Sequence, residues 1–288
     1  MRILITGAGG LLGGRLAALL SPDHEITGLT RGHKAPDGIS AVTADLVAED
    51  DLRAVLDGAR PEVVVHCAAL ADAEVCERDP GRAARDNETA TLILARACAQ
   101  GEIRLIAIST DLVFAGDFPF AGETSPAHPT MEYGRSKLRA EAAAIEASPN
   151  AVILRVALVH GRGHGPKLTA SESVAHRLRR GEPVTLYEDE WRTPIDPESV
   201  ANAIRGVLLR PGLKGRFHLG GPERLSRLEL GERVAKALGL DARLLRRSSQ
   251  ASHRGAPRAR DVSLDIARAR EELGWTPRPV EAALLEGR

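Results

Sequence analysis

The 288-residue sequence predicts an α/β fold: a doubly wound parallel sheet with a smaller mixed α/β lobe beside it. Three observations carry that expectation. Short apolar runs alternate with helix-length amphipathic stretches as far as Arg155. A glycine-rich turn follows the first apolar run at once. Beyond Arg155 the alternation gives way to a mixed pattern. Strands separated by helices of this length imply βαβ units around a sheet covered on both faces.

Taken in order, Ile3–Ile5, Glu25–Leu29, Val63–His66, Arg104–Ser109 and Val152–Arg155 read as strands. Helical patterns lie between them at Leu12–Leu20, Leu52–Leu56 and Ala83–Ala99, and the Ala-rich stretch Tyr133–Ala147 has high helix propensity. Gly161-Arg162-Gly163-His164-Gly165-Pro166 is a loop by its breakers. After it come a helical segment to Arg179, a strand at Val184–Tyr187, and helices near Glu198–Leu209, Arg227–Leu238 and Ile266–Leu273. The expected division is residues 1–155 and residues 156–288, with a broad interface and the chain free to cross between the lobes.

Composition excludes several classes. At 43% hydrophobic and 27% charged the chain can bury an ordinary core. Formal net charge is zero and aromatics make up 3%, so neither a nucleic acid nor a membrane surface is an expected partner. No apolar run approaches the roughly 20 residues of a membrane span. The chain enters a strand at its first residues, so a signal peptide is not expected and a cytoplasmic location is. Cys67, Cys76 and Cys98 form no C-x-x-C pair and no Cys/His spacing suited to zinc, so they read as small buried hydrophobes and no metal site is expected.

The glycine-rich turn reads Thr6-Gly7-Ala8-Gly9-Gly10-Leu11-Leu12-Gly13. Its pattern is T-G-x-x-G-x-x-G rather than G-x-G-x-x-G. Glycines permit a tight turn and close backbone approach, and the following helix offers free N–H groups to a pyrophosphate. A Rossmann-type dinucleotide-binding domain over residues 1–155 follows, with a substrate-binding lobe over 156–288. The second strand ends in Thr30-Arg31, where an NAD-selective site carries Asp or Glu for the ribose hydroxyls. A guanidinium pairs with a 2′-phosphate instead, so Arg31 favours NADP(H), with NAD(H) as the second choice.

Tyr133-Gly134-Arg135-Ser136-Lys137 is Y-x-x-x-K in a helical stretch, and the i to i+4 spacing puts both side chains on one face. A free phenol titrates near 10, and a nearby ammonium is expected to lower it toward acid–base work. Ser109-Thr110-Asp111 ends a strand, which sets a hydroxyl at the edge of the sheet where doubly wound folds bind ligands.

With His66-Cys67-Ala68-Ala69, Asn87, Asp72-Ala73-Glu74 and Ser109-Thr110-Asp111-Leu112-Val113-Phe114, these motifs resemble those of extended short-chain dehydrogenase/reductases. Within that family the sequence is most similar to the dTDP-4-dehydrorhamnose reductase group, strongly to Arg155 and loosely beyond. The resemblance implies that Thr110 hydrogen-bonds a substrate carbonyl oxygen, Tyr133 supplies its proton and Lys137 holds the nicotinamide ribose. It further implies cofactor contacts from Gly7, Gly10, Leu11, Leu12 and Gly13 at the pyrophosphate. Asp45 and Leu46, after a third strand, would flank the adenine, and Ala68, Ala69 and Leu70 would meet the cofactor's middle. Asp111 falls to the substrate side. Hydride transfer of this kind needs no metal.

The sequence departs from that group's pattern in two places. An R-T-x-W segment is matched by Arg155-Val156-Ala157-Leu158, which lacks the aromatic, and G-x-P-T by Arg192-Thr193-Pro194-Ile195. Arg192 suits a nucleotide diphosphate. The basic stretch with Arg246, Arg247, Arg254, Arg258 and Arg260 reads first as a solvated face and second as a further diphosphate contact. The expected function is an NADPH-dependent reductase of a nucleotide-linked 4-keto sugar. Two alternatives are a nucleotide-sugar epimerase with bound NAD, and a non-catalytic NADP-binding regulatory subunit resembling the methionine adenosyltransferase beta subunit. A homodimer is left open.

Overall fold

The computed structural model describes residues 1–286. The first half of the chain supplies β1 (Arg2–Thr6), β2 (Glu25–Thr30), β3 (Ser40–Thr43), β4 (Val63–His66), β5 (Arg104–Thr110) and β6 (Val152–Val156). The second half adds β7 (Val184–Tyr187), β8 (Trp191–Arg192), β9 (Gly215–Leu219), β10 (Leu225–Ser226) and β11 (Leu245–Ser248). Seven of these form one parallel, Rossmann-like sheet in the order β3-β2-β1-β4-β5-β6-β9.

Successive side chains of a strand point to opposite faces, and here each strand feeds two cores. Ile3, Ile5, Val63, Val65, Ile106, Val152 and Leu154 enter one apolar cluster, while Leu4, Val64, Leu105, Ala107 and Ile153 enter the other. Near-continuous apolar runs are what a sheet buried on both sides requires. The first face is covered by α1 (Leu11–Leu20) and the second by α2 (Glu49–Ala59), through Leu52 and Leu56. Two short helices, α3 (Ala73–Arg78) and α4 (Pro80–Ala83), lead through a π-turn at Ala84–Thr89 into α5 (Ala90–Gln100). With α6 (Glu132–Ala147), α5 completes the second face, so the expected helix over Ala83–Ala99 is one rod with a π-turn in it.

In the second half α7 (Ala170–Arg179), α8 (Pro197–Leu208), α9 (Arg227–Leu238), α10 (Ala267–Leu273) and α11 (Val280–Leu284) follow. The chain crosses between lobes after residue 155. β9 extends the sheet beside β6, and α8 lays Val200, Ala203, Ile204 and Val207 into the core shared with Leu16 and Leu20 of α1. The smaller lobe has its own core, with Val174 and Leu178 of α7, Val184 and Leu186 of β7, and Leu228, Leu230 and Val234 of α9. Two small sheets, β8 with β10 and β7 with β11, frame it.

Cys76 and Cys98 are buried and Cys67 is half-buried against the core. Burial pushes the three thiols up, to about 12 for Cys67, about 11 for Cys76 and about 12 for Cys98. Among the described residues no helix is long and apolar enough to cross a membrane.

Candidate active site

From β1 the chain winds outward through β2 and β3, then returns to place β4 on the other side of β1. This reversal opens a crevice at the carboxyl ends of β1 and β4, where ligands of such sheets bind. The phosphate loop occupies it. Gly7 has φ +68°, and Gly10 N–H donates to its carbonyl at 2.8 Å. A Cβ on Gly13 would stand 2.4 Å from that same oxygen, so α1 can begin against the turn only with glycine there. Gly10 caps α1 without a side-chain acceptor, and Leu11 and Leu12 open the helix. Helix ends of this kind hold anionic oxygens, so the loop fits a dinucleotide pyrophosphate. His164 of the second half abuts it: its N–H donates to the Leu11 carbonyl at 3.0 Å.

At the far end of the crevice Arg31 leaves β2 and grips Asp86 with two hydrogen bonds, Nη1 to Oδ1 at 3.1 Å and Nη2 to Oδ2 at 3.0 Å. Arg85 bridges the same carboxylate (2.8 Å) to Asp45 (2.6 Å). Burial acts to raise Asp86, but Arg31 and Arg85 outweigh it and hold the carboxyl below its ordinary value. Asp45 is thus tied through Arg85 to the carboxylate that Arg31 grips, whereas the Leu46 side chain is buried in the second core.

The middle of the crevice rests on a chain of hydrogen bonds. Ala68 N–H donates to Thr6 Oγ1 at 3.1 Å, and Thr6 Oγ1 meets His66 Nδ1 at 2.7 Å. Thr91 Oγ1 donates to the Asn87 carbonyl at 2.5 Å and therefore accepts from His66 Nε2 at 3.0 Å. Every group is satisfied by a neutral imidazole with its proton on Nε2. Burial, helped by the Lys137 charge, lowers His66 to about 3, so it stays neutral. Asn87, inside the π-turn, accepts from Leu70 N–H at 2.7 Å and donates to the Leu70 carbonyl (3.1 Å) and Ser136 Oγ (2.9 Å). It ties the Ala68-Ala69-Leu70 loop to α6. A π-turn is a frequent device at functional sites.

The α6 helix carries Tyr133, Lys137 and Glu141 on one side. Gly134 sets how closely it approaches: a Cβ there would meet the Leu112 carbonyl at 2.1 Å. This close packing brings the Tyr133 phenol to Thr110 at the end of β5. Thr110 Oγ1 donates to Asp111 Oδ1 at 3.1 Å and accepts from Leu112 N–H at 3.2 Å. Burial first, and then the Asp111 charge, push the phenol well above its ordinary value, with Thr110 acting the other way. The expectation that Lys137 lowers it is therefore not met: the phenol is held as a protonated donor. Burial lowers Lys137 to about 8 against the pull of Glu141. Burial likewise raises Asp111 to about 6, against the opposite pull of Arg192.

Arg192, on β8, is buried with its guanidinium engaged. Nη1 donates to the carbonyls of Trp191 (2.7 Å) and Ala259 (3.3 Å), Nη2 donates to Glu190 Oε1 (3.1 Å), and Nε lies 3.8 Å from Asp111 Oδ2. All five arginines of the basic stretch are exposed, and of them Arg258 joins this cluster through two bonds to Glu190. At the aromatic's position Leu158 is half-buried against the small lobe's core. Glu141, Asp86 and Glu190, which support the expected residues, were not anticipated. Glu141 alone had a legible signal, standing one further turn along the Tyr133/Lys137 face.

Sequence and structure comparisons agree with this fold. The family model described as RmlD substrate binding domain matches residues 1–286. A probable low-salt glycan biosynthesis reductase of Haloferax volcanii is 33% identical over 286 residues, 98% of this chain and 95% of that one. The dTDP-4-dehydrorhamnose reductase of Mycobacterium tuberculosis is 34% identical, covering 90% of this chain and 83% of its own. The methionine adenosyltransferase 2 subunit beta of Danio rerio is 31% identical, covering 93% and 83%. Among solved structures, a hypothetical dTDP-4-dehydrorhamnose reductase from Sulfolobus tokodaii superposes with a TM-score of 0.82 at 29% identity over 94% of both chains. With a match from end to end of the described residues and relatives above 30% identity across nine-tenths of its length, this chain belongs to the RmlD substrate binding domain family.

Proposed function

We propose that the protein is an NADPH-dependent reductase of a nucleotide-linked 4-keto sugar. The observation that carries this reading is the Tyr133 phenol packed beside Thr110, one helical turn from Lys137, at the mouth of a glycine-lined dinucleotide crevice. Gly7, Gly10, Leu11, Leu12 and Gly13 would hold the pyrophosphate, Arg31 the 2′-phosphate, Asp45 and at most the backbone of Leu46 the adenine end, and Ala68, Ala69 and Leu70 the middle. Bound there, reduced nicotinamide supplies hydride to a carbonyl carbon. Thr110 turns its hydroxyl from Asp111 to the carbonyl oxygen, and Tyr133 gives that oxygen its proton. Lys137, shielded and only partly compensated by Glu141, holds the ribose and supports the phenolate left behind. Asp111, with a buried and unpartnered Oδ2, accepts from a sugar hydroxyl. Arg192 adds positive charge at the same end. A cytoplasmic setting belongs to this reading, with no nucleic acid or membrane partner and a homodimer left open.

The similarity to a regulatory subunit supports a second reading, in which NADP is bound without turnover. NADPH oxidation assayed against a panel of dTDP- and UDP-linked 4-keto sugars separates the two. Turnover of one of them is the expected result. Tight NADPH binding with turnover of none favours the regulator, and purification with stoichiometric NAD favours an epimerase.

A further inference from the structure

The phosphate loop and the start of α1 contain two glycines that the T-G-x-x-G-x-x-G pattern does not ask for, Gly9 and Gly14. Each is closely approached from elsewhere in the chain. A Cβ on Gly9 would stand 2.3 Å from the His33 carbonyl oxygen, and a Cβ on Gly14 would stand 2.2 Å from Cδ2 of the His164 ring. His33 lies in the loop of residues 31–39 between β2 and β3, and His164 in the loop of residues 157–169 between β6 and α7. Three separate segments therefore meet at the start of α1.

His164 joins them. Its backbone N–H donates to the Leu11 carbonyl at 3.0 Å, and its ring Nε2 donates to the Lys34 carbonyl at 3.2 Å. The residue before it is tied to the smaller lobe, because Glu172 of α7 accepts from Gly163 N–H at 3.2 Å and from Thr169 N–H at 2.9 Å. A chain of contacts thus runs from α7 through His164 to the loop that begins with Arg31.

That loop needs an outside hold. Residues 31–34 are all exposed, and the apolar anchors of the loop, Ala35 and Ile39, come after them. Asp86 grips the Arg31 guanidinium and fixes where it points. How far the backbone of residues 32–34 stands from the phosphate loop is set instead by His33 against Gly9 and by the His164 bond to Lys34. A dinucleotide carrying a 2′-phosphate must meet the phosphate loop and Arg31 at once, so a preset spacing between the two spares it the cost of ordering them. A cofactor without that phosphate gains nothing from the spacing.

We infer that His164 is a positioning residue for cofactor choice. It latches the Arg31 loop at the distance from the phosphate loop that a 2′-phosphate needs, so the second half of the chain takes part in selecting NADPH. The inference rests on the reading of Arg31 as the 2′-phosphate contact.

The test titrates the full chain with NADPH and with NADH by fluorescence, in wild type, His164→Ala, His164→Leu, His164→Gln, Arg31→Met and the His164→Ala/Arg31→Met double variant. His164→Ala should weaken NADPH about 3- to 10-fold, the size of one neutral hydrogen bond, and NADH by less than about twofold. His164→Leu fills the space over Gly14 without a donor and should behave as His164→Ala does. His164→Gln keeps a donor at similar reach and should recover most of the loss. In the double variant the loss should be no larger than in Arg31→Met alone, because His164 acts through that side chain. Unchanged NADPH affinity in His164→Ala and His164→Leu overturns the inference. Equal weakening of both cofactors overturns it too and makes His164 a structural brace, as do fully additive losses in the double variant. If Arg31→Met abolishes the NADPH preference while both His164 variants keep it, only the latch falls. Wild type without a preference, or Arg31→Met that retains one, fails the Arg31 reading and takes the inference with it.

Discussion

Glu141 holds Arg155 through two buried hydrogen bonds, Nε to Oε1 at 2.9 Å and Nη2 to Oε2 at 2.8 Å. The same carboxylate accepts from Ser109 Oγ at 2.6 Å and Arg216 Nε at 2.8 Å. One side chain thus joins α6 to β5, β6 and β9, directly behind Lys137. Glu141→Gln should cost about 3–5 kcal/mol, because it strands a buried guanidinium. Urea unfolding of wild type and variant at neutral pH measures it.

The same pair sets part of the acid sensitivity. Burial acts to raise Glu141, but the hydrogen bonds and charge of Arg155 outweigh it and keep the carboxyl below 4.5. A depressed folded value stabilises the native state above the unfolded value, and that stability is lost as pH falls through the folded one. Wild type should lose this increment below about pH 4.5, and Glu141→Gln, already without it, should show a flatter acid limb. An identical acid limb in both proteins would place the sensitivity elsewhere.

Arg31 is expected to choose the cofactor. Asp86 takes two of its N–H groups and aims what is left of the fork. Arg31→Asp would set a second carboxylate beside Asp86 and Asp45, so NADPH should weaken by about 1.5–3 kcal/mol and NADH by much less. Fluorescence titration of both cofactors measures the difference. Equal affinity for the two in wild type would remove the role.

Tyr133→Phe deletes one oxygen from a shielded ring, so folding and NADPH affinity should survive. Turnover should fall by about 10²–10⁴-fold, the usual share of a general acid. Thr110→Val should slow turnover too, and Lys137→Met should harm both rate and cofactor affinity. Full activity in Tyr133→Phe would reassign the proton donor.

Gly134→Ala probes the approach of α6. The added methyl meets a backbone carbonyl at 2.1 Å, so the helix must move away from Leu112. Overpacking of this kind costs about 1–3 kcal/mol, and turnover should fall beyond what the stability loss explains, since Tyr133 retreats from Thr110. Unaltered turnover at full stability would show that the helix has slack.

Local pattern was enough for the strands that start and carry the sheet. Ile3–Ile5, Val63–His66 and Val152–Arg155 are apolar at every or nearly every position because both faces are covered, and that signal is readable without knowing the neighbours. The T-G-x-x-G-x-x-G turn and the Tyr133/Lys137 spacing are equally local, since each needs only a few consecutive residues to define its geometry. β9 is different. Gly215–Leu219 contains Arg216 and His218, which look like surface residues, and they become sheet residues only because Glu141, Arg155 and the Ala121 carbonyl are brought to them. The same holds for the charge chemistry. Whether Arg192 or Arg258 has a free guanidinium depends on which carboxylates reach it, and Glu190 is two residues from one and far along the chain from the other. Periodicity reports burial one element at a time, whereas the pairing of charges is a property of the assembled lobes, so the tertiary structure alone decided which carboxylates Arg155 and Arg192 meet.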